Sequence, residues 1–147
     1  MIFRMKRFSL GTAVSSIILL LIPAILSSQE FHVPDLEFND GWLFHKGKAD
    51  FAETADFDDS GWRKITLPHD WAIEGPFSNK HNARTGGLPV TGTGWYRKHF
   101  EIPAEWKRKR ISIEFDGAMS DAHIWVNGEF IGNRPYGYIG FEFDITD

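Results

Sequence analysis

The chain reads as an all-β protein, an antiparallel sandwich of short strands. Three observations predict it. Apolar and polar residues alternate with period two in several segments between Trp95 and the end. Asn127-Gly128 sits between two alternating runs, and that dipeptide favours a tight hairpin because both residues tolerate positive φ. After Gln29 no helical periodicity runs long enough to make a crossover helix.

The first 28 residues stand apart. Arg4, Lys6 and Arg7 are their only charges, and an uncharged run from Phe8 to Leu26 leads into Ser27 and Ser28. A positive start, an apolar middle and a small polar end make a secretory signal peptide over 1–28. Gly11, Thr12, Ser15 and Ser16 dilute the run, leaving Ile17 to Leu26 as a strongly apolar part too short to span a bilayer. The expectation is an exported chain, periplasmic or extracellular, with no stable membrane anchor once the leader is cut. The domain then occupies 29–147.

Composition narrows the chemistry. There is no cysteine, which excludes disulfides, thiolate metal ligands and thiol nucleophiles. Beyond the leader, 13 basic side chains face 20 acidic ones. Such a body repels phosphate backbones and argues against a nucleic-acid partner. Six Trp and thirteen Phe are a heavy aromatic load for 147 residues, fit for a sheet core or for stacking on sugars.

The elements follow in order. EFND before GWLFHKG reads as a turn feeding a strand around Trp42 to His45. ADFAETADFDDSGW is broken and acidic, a loop with a turn at Asp58 to Gly61 whose Phe57 and Trp62 are expected to pack inward. RKITLP alternates and stops at Pro68. Residues 75–94 hold five glycines and two prolines without periodicity, which predicts an ordered surface loop. WYRKHFEIP sets Tyr96, Lys98, Phe100 and Ile102 on one face. AEWKRKR reads as a single turn. ISIEFDG puts Ile111, Ile113 and Phe115 inward and Ser112, Glu114 and Asp116 outward. DAHIWVNGEFIG is the hairpin, and FEFDI ends the alternation. A sandwich stopping at Asp147 leaves an unpaired edge, so the sequence is expected to be part of a longer polypeptide.

The most suggestive stretch for chemistry is TLPHDWAIEG, with His69, Asp70 and Trp71 in succession. Neighbours in an extended segment point to opposite faces, so His69 and Asp70 do not readily serve one centre. A purely structural role is the simpler reading: Asp70 caps backbone N–H groups while His69 and Trp71 pack. The six histidines make no H-x-H or H-x-x-x-H pair, so no metal site is assigned. Carboxylates are abundant, but nothing selects a pair held about 5–10 Å apart for glycoside hydrolysis. Trp71, Phe77, Asn79, His81, Asn82, Arg84 and Trp95 gather around the long loop. Flat rings, amides and a guanidinium suit sugar recognition. The same mix suits a loop packing on its own sandwich, and residue types do not decide between the two.

Six strings in order carry a resemblance. They are Phe38-Asn39-Asp40-Gly41-Trp42, Leu67-Pro68-His69-Asp70-Trp71, Gly94-Trp95-Tyr96-Arg97-Lys98, Phe115-Asp116-Gly117-Ala118, Trp125-Val126-Asn127-Gly128 and Phe143-Asp144-Ile145-Thr146. Together they resemble the N-terminal sugar-binding domain of glycoside hydrolase family 2, nearest to exported β-galactosidase-like members from Bacteroides-type bacteria. The resemblance implies a jelly-roll sandwich, galactose-binding-domain-like and incomplete at its C-terminus. It also implies hydrolysis of terminal β-glycosidic bonds by two glutamates on a downstream barrel. The fragment is therefore expected to be inactive alone and to need no cofactor. Its expected partners are a β-linked carbohydrate and that barrel. The family's loop asparagine maps onto Asn79 or Asn82, eight and eleven residues after Trp71, with Asn82 preferred. With Trp71, His69, Asp70 and Arg84 these make the candidate substrate-binding set. The resemblance places a metal-binding acid beyond Asp147. A stand-alone carbohydrate-binding module and a purely supporting domain are the rival readings.

Overall fold

Ile111, Ile113 and Phe115 alternate along the most regular segment of the chain, and all three are buried. Burying such side chains gains about 1.5–3 kcal/mol each. Cross-strand pairs are worth only about 0.2–1 kcal/mol, so alternation rather than pairing decides which face turns inward.

The computed structural model describes residues 3–8, 35–87 and 92–146. Its strands are β1 (Phe3–Phe8), β2 (Asp35–Glu37), β3 (Trp42–Lys46), β4 (Arg63–Ile65), β5 (Gly94–Arg97), β6 (Arg110–Phe115), β7 (Ala122–Val126), β8 (Glu129–Arg134) and β9 (Phe141–Asp144). The described residues contain short 3-10 turns but no α-helix. Among them no helix is long and apolar enough to cross a membrane. The strands form a sheet ordered β2-β1-β6-β9, a sheet ordered β4-β3-β5 and the hairpin β7-β8. Every pairing is antiparallel.

All three units feed one core. Trp42 comes from β3, Ile111, Ile113 and Phe115 from β6, Ile124 from β7 and Phe141 from β9, with Phe38, Leu67 and Trp106 from the connections. Phe115 and Phe141 face each other in register and stack with centroids 4.6 Å apart. The chain is thus all-β, as its alternation predicts. The hairpin turns where expected, with Asn127 at φ 52° and Gly128 at φ 88°. AEWKRKR supplies one 3-10 turn, Ala104–Trp106.

Four details differ from the sequence reading. Ser112, expected outside, is buried, because β6 is flanked on both sides and a short side chain lies below its neighbours. The WYRKHFEIP strand is only four residues long, ending at Arg97. Phe57 and Trp62 pack, but on the outer face of β3. Trp62 stacks on His45 at 5.3 Å, and Phe57 meets Trp62 edge-on at 5.4 Å. Phe44, one residue earlier than His45, takes the core side of that strand. Finally, β1 lies within the segment read as leader. Its register sets Arg4 opposite Glu37 and Glu114, and Lys6 opposite Asp35, so basic positions alternate against acidic ones. The rest of that segment, including its apolar run, lies outside the described residues.

The acidic loop between β3 and β4 is fastened by one side chain. Arg97 donates through Nε to Asp59 at 2.8 Å and through a terminal nitrogen to the carbonyls of Ala52 and Thr54 at 2.5 and 3.0 Å. His99 reaches the same Asp59 oxygen at 2.7 Å. Burial alone would raise the Asp59 pKa, but the Arg97 and His99 hydrogen bonds outweigh it and hold the carboxyl below its ordinary value.

Candidate functional site

The register of the three-stranded sheet assembles the base of the long loop. Phe44 on β3 stands opposite Arg63 on β4 and Tyr96 on β5, so the three share one face. Leu67, buried, donates its backbone N–H to Asn39 O at 2.9 Å and brings the chain back over that face. His69 then drops into it.

The imidazole of His69 packs on Phe44 at 4.8 Å, and both of its nitrogens are engaged. Nδ1 lies 2.9 Å from the Tyr96 hydroxyl and Nε2 lies 3.0 Å from Glu74 Oε1. Burial, reinforced by Asp70 and Glu74, pushes the Tyr96 phenol far above its ordinary pKa. Tyr96 therefore keeps its proton and donates to Nδ1. That leaves Nε2 to carry the imidazole proton and donate to Glu74. Arg63 closes the ring with a 2.6 Å ion pair to Glu74. The hydrogen bonds from Arg63 and then His69 hold the Glu74 carboxyl below its usual range. Arg63 also sits 3.1 Å from Nε2, but once Nε2 bears the hydrogen that approach is a contact rather than a bond.

Asp70 and Trp71 divide the remaining work. Asp70 has extended backbone and caps the 3-10 turn Trp71–Glu74, its Oδ1 accepting from Ala72 N–H at 2.9 Å. The Trp71 ring lies against the start of β5, where a methyl on Gly94 would sit 2.8 Å from the indole nitrogen. Lys46 Nζ stands 4.7 Å over the same ring.

Beyond this base the loop folds on itself. Ser78 N–H donates to Gly87 O at 2.8 Å, and His81 N–H to Ser78 O at 3.1 Å. Gly87, at φ 78°, lets the two passes touch: a Cβ there would lie 3.0 Å from Ser78 O. Asn82 caps the turn Ala83–Thr85 by accepting from Arg84 N–H at 2.9 Å. The result is a tight knob carrying Asn79, His81, Asn82, Arg84 and the exposed ring of Phe77.

The structure thus divides the six candidates in two. Asn79, Asn82 and Arg84 sit together and exposed on the knob, while His69, Asp70 and Trp71 build its base. Trp95 belongs to neither group. It lies on the opposite face of β5 from Tyr96, where Trp125 packs on it at 5.7 Å. Arg63, Glu74 and Tyr96 were not singled out by sequence reasoning as site residues. Tyr96 lies 27 residues from His69, so only the strand pairing reveals the contact. Among the described residues no group of three or more His, Asp or Glu converges as a metal site.

Comparison with known proteins agrees with this layout. Residues 38–147 match the family model for glycosyl hydrolases family 2, sugar binding domain. A β-galactosidase of Bacteroides ovatus is 45% identical over 111 residues, which cover 75% of this chain and 13% of that enzyme. A β-glucuronidase of Bacteroides fragilis is 32% identical over 113 residues, covering 77% of this chain and 14% of the relative. The crystal structure of a β-glycosidase from Bacteroides vulgatus superposes with a TM-score of 0.70 at 42% identity, over 74% of this chain and 14% of that one. The chain therefore spans a small part of the length of these relatives. Six ordered motifs, the antiparallel strands and the HDW-anchored knob lead to one assignment: the chain belongs to glycosyl hydrolases family 2, and residues 38–147 carry that family's sugar-binding domain.

Proposed function

We propose that this domain serves an exported β-galactosidase-like glycosidase, hydrolysing terminal β-linked sugars in carbohydrate breakdown. In this reading the sandwich is a jelly roll beside a downstream catalytic barrel, which holds the two glutamates. The knob at 75–87 reaches toward the non-reducing sugar. The observation that carries the proposal is the knob itself, an exposed amide and guanidinium cluster whose base is locked by His69 and Trp71. A site held on a rigid base loses little entropy on binding, so each hydroxyl contact keeps its value. Asn82 is the residue assigned to the sugar, with Asn79 and Arg84 beside it. His69, Asp70 and Trp71 position the knob.

Residues 1–28 act as the export leader in this proposal, and β1 departs with them. The intact mass of the exported product tests that part, and a product retaining Met1 to Ser28 would overturn it. The knob is tested by grafting residues 38–147 into the Bacteroides ovatus enzyme and assaying nitrophenyl β-galactoside. One lost neutral hydrogen bond is worth about 0.5–1.5 kcal/mol, so Asn82→Ala is expected to lower kcat/KM by roughly 3–10-fold. Unchanged kinetics in a folded chimera would leave the domain a supporting role only.

A further inference from the structure

The strand β5 has the knob at its Gly94 end and a second feature at its Arg97 end. There a cleft of about 470 Å³ opens between the 98–109 segment, β6, the β7-β8 turn and the end of the chain. Its volume suits a ligand of one or two sugar rings.

The charge of this cleft runs against that of the chain. The protein carries a formal net charge of −4, yet no Asp or Glu is among the residues lining the cleft. Lys107, Arg108 and Lys109 all line it. Three consecutive residues of a strand would alternate between faces. Here they follow a 3-10 turn, and Arg108 adopts a left-handed φ of 66°, so the backbone turns all three toward one opening. Arg110, the next base, instead pairs with Asp144 at 2.7 Å. Lys98 and His99 are committed to the Asp40 carbonyl and to Asp59. Lys107, Arg108 and Lys109 form no ion pair among the described residues.

Beneath the cations lies an apolar floor that includes Ile102, Trp106 and Ile111, and Asn127 stands at the rim. Three unpaired cations over an apolar floor fit a ligand with one anionic substituent on a ring that has a C–H face. We propose that this cleft binds an acidic sugar, a uronate or a sulfated pyranose, separate from the knob. The choice of a sugar over other ring-bearing anions rests on the reading given under Proposed function.

Isothermal titration of the 147-residue chain with glucuronic acid, galactose 6-sulfate, galactose and inorganic sulfate tests it. At least one acidic sugar is expected to bind about tenfold or more tighter than galactose or sulfate, and to weaken as salt rises. The two acidic ligands separate carboxylate from sulfate as the preferred group. The double variant Lys107→Ala/Lys109→Ala is expected to raise that Kd about tenfold or more with the circular-dichroism melt unchanged. Asn82→Ala is expected to leave this binding intact, so a failure of the knob's role and a failure here are distinguishable. Equal binding of galactose, equal binding of sulfate alone, no binding of either acidic sugar, or an unaffected double variant would each overturn the proposal.

Discussion

His69 and Tyr96 meet at 2.9 Å across 27 residues of sequence, and through that contact the long loop is tied to β5. The phenol cannot be replaced from solvent, because the imidazole side chain is only 12% exposed and Phe44 packs against it.

Tyr96→Phe removes one donor and leaves Nδ1 half-buried without a partner. A loss of about 1–2 kcal/mol follows from the unmade bond, since the ring packing on Phe44 is retained. Urea unfolding at neutral pH measures it. His69→Ala should cost more, because it also unpairs Tyr96 and Glu74. Equal stability of wild type and Tyr96→Phe would show that the imidazole is not locked by this bond.

The Arg97–Asp59 pair sets a pH dependence whose sign follows from the direction of the shift. The folded Asp59 pKa lies below its ordinary 3.8. Its contribution to stability is therefore full above that value and is lost as pH falls through the lower, folded one. Asp59→Asn should melt earlier than wild type at pH 7, by an amount corresponding to about 1–3 kcal/mol for a hydrogen bond to a charged group. Its acid decline should be shallower, so the two melting curves converge at low pH. Parallel curves from pH 7 to pH 2 would mean that Asp59 carries no such linkage.

These contacts mark the limit of what the residues alone reveal. The core strand at Ile111–Phe115 and the turn at Asn127-Gly128 are legible because they depend on period and on local φ preference. The HDW triplet was readable as a loop launch, since Asp70 caps a turn only two residues away. The partners of His69 and Arg97 were not legible, because they come from strands 27 and 38 residues distant. Trp62 illustrates the same limit: hydrophobicity predicts that it packs, whereas the register of β4 against β3 decides that it packs on the outer face. The pairing of β1 is another case, because apolar and basic residues at the head of a leader also satisfy a strand pattern. The knob's residue types were legible in full, but their division into a base and an exposed cluster was set by the sheet beneath.

Gly94 gives the sharpest test of how Trp71 is held. A methyl at this position would approach the Trp71 indole nitrogen to 2.8 Å and would lie 3.1 Å from both Trp71 Cδ1 and Phe44 Cε2. Two rigid rings on one side leave no flexible atom to yield, so the indole must lift from β5. Overpacking of this kind costs about 1–3 kcal/mol, and Gly94→Ala should show it in urea unfolding together with a red-shifted tryptophan emission. Gly61→Ala is the matched control. A methyl there meets nothing within 4 Å, so its stability should stay within about 0.5 kcal/mol of wild type. If Gly94→Ala were as silent as Gly61→Ala, Trp71 would not rest on β5, and the base of the knob would be looser than its contacts require.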